Sequence, residues 1–478
     1  MARTKVFLLW GLLVGAAAVI MGLNGCGGSA SNSTPPPPPP PQKIQHIVII
    51  FQENRSPDNL FQDPVLIQKG ADIQNYGVNS HGTKIPLWKQ TLHTNYSPFH
   101  SHSSFLDMCD LDAVTNQCKM DGADLIPIEC NPQAQNCPPP NAQFTYVDPT
   151  EAAPYFQMAE QYTFADAMFE TNQGPSFPAH QFMLAGTSAP SPTSNLFAAE
   201  NPVGKGINEP GLDTGCTAPP QETVALIDPA TGDESQNMFP CYDHPTLTDL
   251  LTANKNSWRY YAPSAGSLWT APNAISHICV ASGSTCTGSD WNNNVVLTYT
   301  QVLTDIQAGN LADVTWVIPS GQASDHPAQN NGSGPSWVAS VVNAIGGSKF
   351  WPNTAIFITW DDWGGFYDHV KPFAMRNQYE YGFRVPLIVV SPYAKAAYIS
   401  HVNHHFGSIL KYIEENFGLP AVGAGIGNEY ADVYSDTDDL SDCFDYNQAP
   451  LTFQTIKAPL NAKHFLEDKQ PPTDPDDD

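Results

Sequence analysis

The sequence predicts an α/β fold with a largely parallel central sheet, flanked by helices and interrupted by long, loop-rich insertions. Three observations predict it. Short apolar runs rich in β-branched and aromatic residues alternate with stretches whose apolar spacing is helical. Acids, an amide, a serine and histidines fall just past the ends of those runs or at helix starts, where an open parallel sheet binds its ligand. Between them lie Pro-, Gly- and Ser-rich segments with closely spaced cysteines.

Residues 1–26 carry Arg3 and Lys5, an apolar run, and then Leu23-Asn24-Gly25-Cys26. This is the pattern of a secretory signal peptide ending in a lipobox, so the chain is expected to be exported and anchored through a lipid on Cys26 as a periplasmic or cell-surface lipoprotein. An uncleaved membrane anchor is the alternative, because the run is almost long enough to span a bilayer. Residues 27–42, with seven consecutive prolines at 35–41, read as a semi-rigid tether. One domain is expected over 43–460, with insertions near 62–145 and 187–240, and an acidic disordered tail over 461–478. Lys and Arg number 20 against 47 Asp and Glu, a formal net charge of -27. That balance excludes nucleic acid as a partner and leaves carboxylates to spare for a divalent cation. Eight of the nine cysteines beyond Cys26 fall into near pairs, 109 with 118, 130 with 137, 216 with 241 and 279 with 286. In an exported chain these read as local disulfides closing loops in the insertions, and Cys443 is left buried and free.

Taken in order, residues 44–51 (IQHIVIIF) are a first core strand, and Glu53 and Asn54 follow it directly. Residues 62–145 lack strong periodicity and hold His93, His100 and His102. A helix and a short strand fit 151–169. Gly174-Pro175 then forces a turn, and Ser176 opens a helix running into 179–184. That serine has two readings. It is a helix cap, worth about 1 kcal/mol, or a nucleophile at the positive end of the helix dipole, where free N–H groups hold an anion. A helix at 245–251, a strand at 258–261 and a short apolar piece at 271–280 containing His277 come next. Residues 314–319 are a strand ending in a loop with Asp325 and His326. The run IFITW at 356–360 is another strand, broken by Gly364 and Gly365, and it places Asp361 and Asp362 at its carboxyl end. Two adjacent carboxylates there repel unless a cation or a proton lies between them, although Asp is also an ordinary turn residue. A strand at 384–391 and an amphipathic helix at 404–417 complete the core.

Carboxylates with an asparagine suit a hard divalent ion bound through oxygen, and imidazoles hold phosphate oxygens or complete a softer site. A metal, a serine and imidazoles together describe hydrolysis of a phosphate ester. The segments IQHIVIIFQENRSPDNLF, NQGPSFPAHQFMLAGTS, VTWVIPSGQASDHP, TWDDWGGFYDHV and FRVPLIVVSPYAK occur in this order. They resemble the bacterial phosphoesterase family that includes non-specific phospholipase C enzymes and related acid phosphatases. The resemblance implies an alkaline-phosphatase-like α/β fold and a divalent metal ion. It implies Ser176 as the nucleophile and Glu53, Asn54, Asp361 and Asp362 as metal ligands. It also implies His100, His277 and His326 as catalytic, with Asn54, Ser176, His100 and His326 binding phosphate. Two positions depart from the family pattern: Asp362 stands where Glu is common, and His102 where a Trp often follows His100. The activity implied is phospholipase C on phospholipid, with a phosphomonoesterase and a non-catalytic surface binding lipoprotein as alternatives. The last is opposed by the competent residue at every implied position.

Overall fold

The computed structural model describes residues 42–204, 214–426 and 429–473. The expected signal peptide and Cys26 anchor, residues 27–41 of the expected tether and residues 474–478 of the expected tail therefore lie outside the described residues.

A nine-stranded sheet organises the rest. Its strands are β1 (His46–Gln52), β2 (Thr163–Phe169), β3 (Trp258–Tyr261), β4 (Val295–Val296), β5 (Val314–Val317), β6 (Thr354–Trp360), β7 (Arg384–Val390), β8 (Tyr398–Ser400) and β9 (His404–His405). In space the order is β4-β3-β5-β1-β6-β7-β2-β8, with β9 also beside β2. Every pairing is parallel except those of β7, which runs against β6 and β2. The expected largely parallel sheet is therefore present. Its central strands read as continuous apolar runs because both faces are covered; all seven residues of β6 are fully buried. Each such Val, Ile or Phe contributes about 1.5–3 kcal/mol of hydrophobic stabilisation.

Among the helices are α1 (Ala153–Gln161), α2 (Ser176–Ala185), α3 (Leu247–Ala253), α4 (Gln301–Gln307), α5 (Gly334–Gly346), α6 (Phe406–Phe417) and α7 (Ala462–Glu467). Side-chain parity along β6 separates the two helical layers. Trp360 packs edge-on to Tyr155 of α1, whereas Phe357, three residues back and so on the opposite face, packs on Tyr412 of α6. Helix α6 begins two residues later than its periodicity predicts, because His404 and His405 pair with Met168 and Phe169 of β2.

Short two-stranded pairs fill 76–147, and a hairpin of Glu222–Asp228 and Asp233–Met238 lies within the second insertion. All four near pairs of cysteines are disulfides, and Cys443 is buried and free. The expectation of a disordered tail from 461 does not hold as far as 473. Phe465 of α7 is buried against Trp337 of α5, and Thr473 exchanges hydrogen bonds with Gly321 and Gln322, so packing holds the segment down.

Candidate active site

Register alone brings the first acids together. Gln52 lies opposite Trp360 in the parallel β1–β6 pair, so Glu53 and Asp361 leave the sheet side by side. The Asp361 N–H donates to the Gln52 carbonyl at 3.0 Å, and Asp361 Oδ1 accepts from the Asn54 N–H at 2.9 Å. Asn54 has φ 61°, in the left-handed region that Asn tolerates. Gly364 has φ 68°, and a Cβ there would lie 2.3 Å from the Asn54 carbonyl oxygen. The glycine is thus required twice, by its backbone angle and by the close approach.

Ser176 is the first residue of α2 and is not its cap: that position belongs to Pro175, and the Phe177 N–H in the first turn donates to Asn201 Oδ1 at 2.9 Å. The hydroxyl instead donates to Asp362 Oδ2 at 3.4 Å, so the capping reading of Ser176 fails. Asn54 Nδ2 donates to the same carboxylate oxygen at 3.2 Å and to His100 Nε2 at 2.8 Å. His100 Nδ1 lies 3.1 Å from the Pro98 carbonyl, which requires the proton on Nδ1 and leaves Nε2 as the acceptor. His326 packs against His100 with ring centroids 5.8 Å apart, and its Nδ1 donates to the Pro327 carbonyl at 2.8 Å. Arg55 fixes that loop, giving its Nε and Nη2 protons to the Asp325 carbonyl at 2.9 and 2.7 Å. Every one of these side chains is buried.

The electrostatics are those of a cation site. Burial, then repulsion from Asp361 and Asp362, pushes the Glu53 carboxyl well up. Burial and Asp361 do the same to Asp362, and burial with both aspartates does it to Glu170. Asp361 goes the other way although burial opposes it, because Glu53, His180 and Ser176 favour its charged form. Buried oxygens Glu53 Oε2, Asn54 Oδ1 and Asp361 Oδ2 have no hydrogen-bond partner, and such orphans are expensive unless something coordinates them. An all-oxygen donor set with one neighbouring imidazole fits a divalent ion.

Of the predicted residues, the structure brings together Glu53, Asn54, His100, Ser176, His326, Asp361 and Asp362. His277 is a correction. Its Nδ1 lies 2.9 Å from Asp243 and its Nε2 3.2 Å from Asp249, and these carboxylates push its pKa up to about 9. Both ring nitrogens are committed to surface ion pairs. Asp325, which sequence position also suggested, turns into the core, where Oδ2 accepts from Tyr155 at 2.8 Å and Trp360 at 3.0 Å.

Sequence reasoning missed two members. His180 Nε2 lies 3.1 Å from Glu53 Oε1, its Nδ1 is buried without a partner, and burial lowers its pKa to about 4. Glu53, His180 and Asp361 place one ligand atom each within 4.8 Å of one another. The signal was present: His180 follows Ser176 by four residues and so shares its helix face. Glu170 follows β2 directly, the same strand-end position that flagged Glu53, and its Oε1 accepts from the Trp363 N–H at 3.0 Å.

Comparison with known proteins adds the following. Hemolytic phospholipase C of Pseudomonas aeruginosa is 23% identical over 424 residues, which is 79% of this chain and 53% of that protein. Non-hemolytic phospholipase C of the same organism is 23% identical over 432 residues, covering 79% and 54%. Phospholipase C A of Mycobacterium tuberculosis is 30% identical over 140 residues, covering 24% and 27%. The chain spans about half the length of the first two relatives. Among solved structures, a protein in the alkaline phosphatase superfamily from Vibrio parahaemolyticus aligns over 84% of this chain and 70% of that chain, with 9% identity and a TM-score of 0.35. Ps i-CgsB in complex with k-i-k-neocarrahexaose aligns over 83% and 75%, with 8% identity and a TM-score of 0.38. The sequence model of the Phosphoesterase family matches residues 44–420, and the chain belongs to that family.

Proposed function

We propose that this chain hydrolyses phosphate esters through a phosphoseryl intermediate on Ser176, with phospholipase C activity on phospholipid as the specific case. The observation that carries the reading is the buried Ser176 hydroxyl, free of any capping role and held against Asp362 at the mouth of a carboxylate cluster. The names of the relatives supply the lipid.

In this reading Ser176 Oγ attacks phosphorus in line as the ester oxygen leaves. Asp362 takes the hydroxyl proton, and Asn54 Nδ2, His100 and His326 face the phosphoryl oxygens. Glu53, Asn54, Asp361 and Asp362, with His180 at the edge of the group, would hold a divalent ion, which when bound would supply positive charge to offset that of the phosphoryl group. Burial and neighbouring His100 hold the His326 pKa down to about 3. An anionic phosphate beside it reverses that bias, so the imidazole binds a proton that it can pass to the leaving oxygen. Water then attacks the same phosphorus by the reverse geometry and frees Ser176, releasing the phosphorylated head group from a phospholipid or inorganic phosphate from a monoester. We place this chemistry outside the cytoplasm, on a protein tethered at Cys26 near the lipid it cleaves.

Ser176→Ala should lower kcat by about 10³-fold or more, and rapid acid quench of the native protein should trap residue 176 as phosphoserine with p-nitrophenyl phosphate and as its head-group diester with phospholipid. Full activity in the alanine variant would sink the assignment. Parallel assays of diacylglycerol release and p-nitrophenyl phosphate hydrolysis decide between phospholipase C and phosphomonoesterase.

A further inference from the structure

Far along the chain from Ser176, at the β8–β9 edge of the sheet, a second cluster has a different chemical character. His404 of β9 and Cys443 are fully buried, and Asp442 is mostly so. His404 Nε2 lies 3.6 Å from Asp442 Oδ1 and 4.0 Å from Cys443 Sγ, and Sγ lies 3.6 Å from the same Asp442 oxygen. For that triangle one point stands about 2.2 Å from all three atoms, inside the span of zinc's bonds to nitrogen, oxygen and sulfur. Ser400 Oγ is 3.1 Å from His404 Nε2 and donates to Asp442 Oδ2, the carboxylate oxygen outside that triangle.

The other ring nitrogen supports the assignment. His404 Nδ1 stands 2.9 Å from Asp438 Oδ2, close enough for an ion pair though off the line of a hydrogen bond. A carboxylate behind the distal nitrogen is the arrangement that orients a metal-bound imidazole and raises its basicity. The remaining acidic cluster, Asp58, Asp368 and His369, is different. Arg384 already neutralises it, with Nε 2.9 Å from Asp368 Oδ1 and Nη2 3.0 Å from Oδ2.

We propose that His404, Asp442 and Cys443 form a structural site for a thiophilic divalent ion such as zinc, separate from the proposed catalytic ion. Binding replaces the Cys443 thiol proton with the metal and releases one proton to solvent per ion bound. The site ties the turn Ser441–Cys443 to β9, and through β9 to β2, whose end carries Glu170.

Sulfur distinguishes the two sites, because the cluster around Ser176 offers only oxygen and nitrogen. The full chain, stripped with chelator and refilled with cobalt, should show thiolate-to-cobalt charge-transfer absorption at one equivalent. The band should vanish in Cys443→Ser and survive in Asp361→Asn. Should Cys443→Ser fail to fold, zinc-edge X-ray absorption of the native chain needs no variant and should show one sulfur at about 2.3 Å. A cobalt protein without the band, or a zinc shell of nitrogen and oxygen alone, overturns the proposal. Neither readout depends on turnover, so it stands or falls independently of Ser176.

Discussion

His326 follows a core strand in the sequence and His277 lies in a short apolar piece, yet the second is turned outward and the first inward. The difference lies in what meets the ring. His277 finds Asp243 and Asp249, whose negative charge keeps it protonated, whereas His326 is buried against His100 and kept neutral. His277→Ala should therefore leave turnover unchanged while His326→Ala removes most of it. An equal loss in both would return His277 to the site. Because the folded pKa of His277 is raised to about 9, its stabilisation is complete below about pH 6.5 and is lost as pH rises through 9. Solvent screening of this part-exposed pair limits the effect to about 1 kcal/mol or less. Thermal melts should show His277→Ala below the native chain at pH 6 and level with it above pH 9.

At the scale of elements, strand ends were the legible feature. Continuous apolar runs marked β1, β5, β6 and β7 within two or three residues, and so placed Glu53, His326, Asp361 and Asp362 at one edge of the sheet. His180 and Glu170 carried a local signal in their spacing, but that they meet the cluster depends on how α2 and β2 pack across that edge, which local pattern does not encode. Helix α6 has a similar hidden partner. Glu414 in its last turn faces Asp432; Oε1 accepts the Val422 N–H at 2.9 Å, and Asp432 Oδ2 accepts the Gly423 N–H at 2.9 Å. Burial, then Asp432, pushes the Glu414 pKa up to about 8. A carboxyl with a raised folded pKa stabilises below its unfolded value, near 4.5, and loses that contribution as pH rises through about 8. The native chain should therefore lose on the order of 1–3 kcal/mol between pH 5 and pH 8 from this pair. Glu414→Gln keeps the acceptor for Val422 and should flatten the profile. Parallel pH dependence in the two proteins would show that the pair is not the source.

Over the whole molecule the charge is adverse to the proposed chemistry. A formal net charge of -27 surrounds a site lined by Glu53, Glu170, Asp361 and Asp362, while the buried Arg55 is spent on backbone carbonyls and Asn59. An approaching phosphomonoester dianion is repelled at long range, and a zwitterionic phosphodiester with no net charge is not. Salt screens that field, with a Debye length of about 30 Å at 0.01 M and about 10 Å at 0.1 M. The kcat/KM for p-nitrophenyl phosphate should therefore rise several-fold as ionic strength increases from about 0.01 to 0.1 M. That for a soluble zwitterionic diester should stay nearly level. The contrast is read in the ratio of the two slopes, which cancels any general effect of salt on folding or metal loading. A dianion whose kcat/KM falls with salt would mean that the local field at the site is positive, with the bound ion and imidazoles outweighing the surface. In that event phosphomonoesters, not zwitterionic lipids, would be the substrates the electrostatics favour.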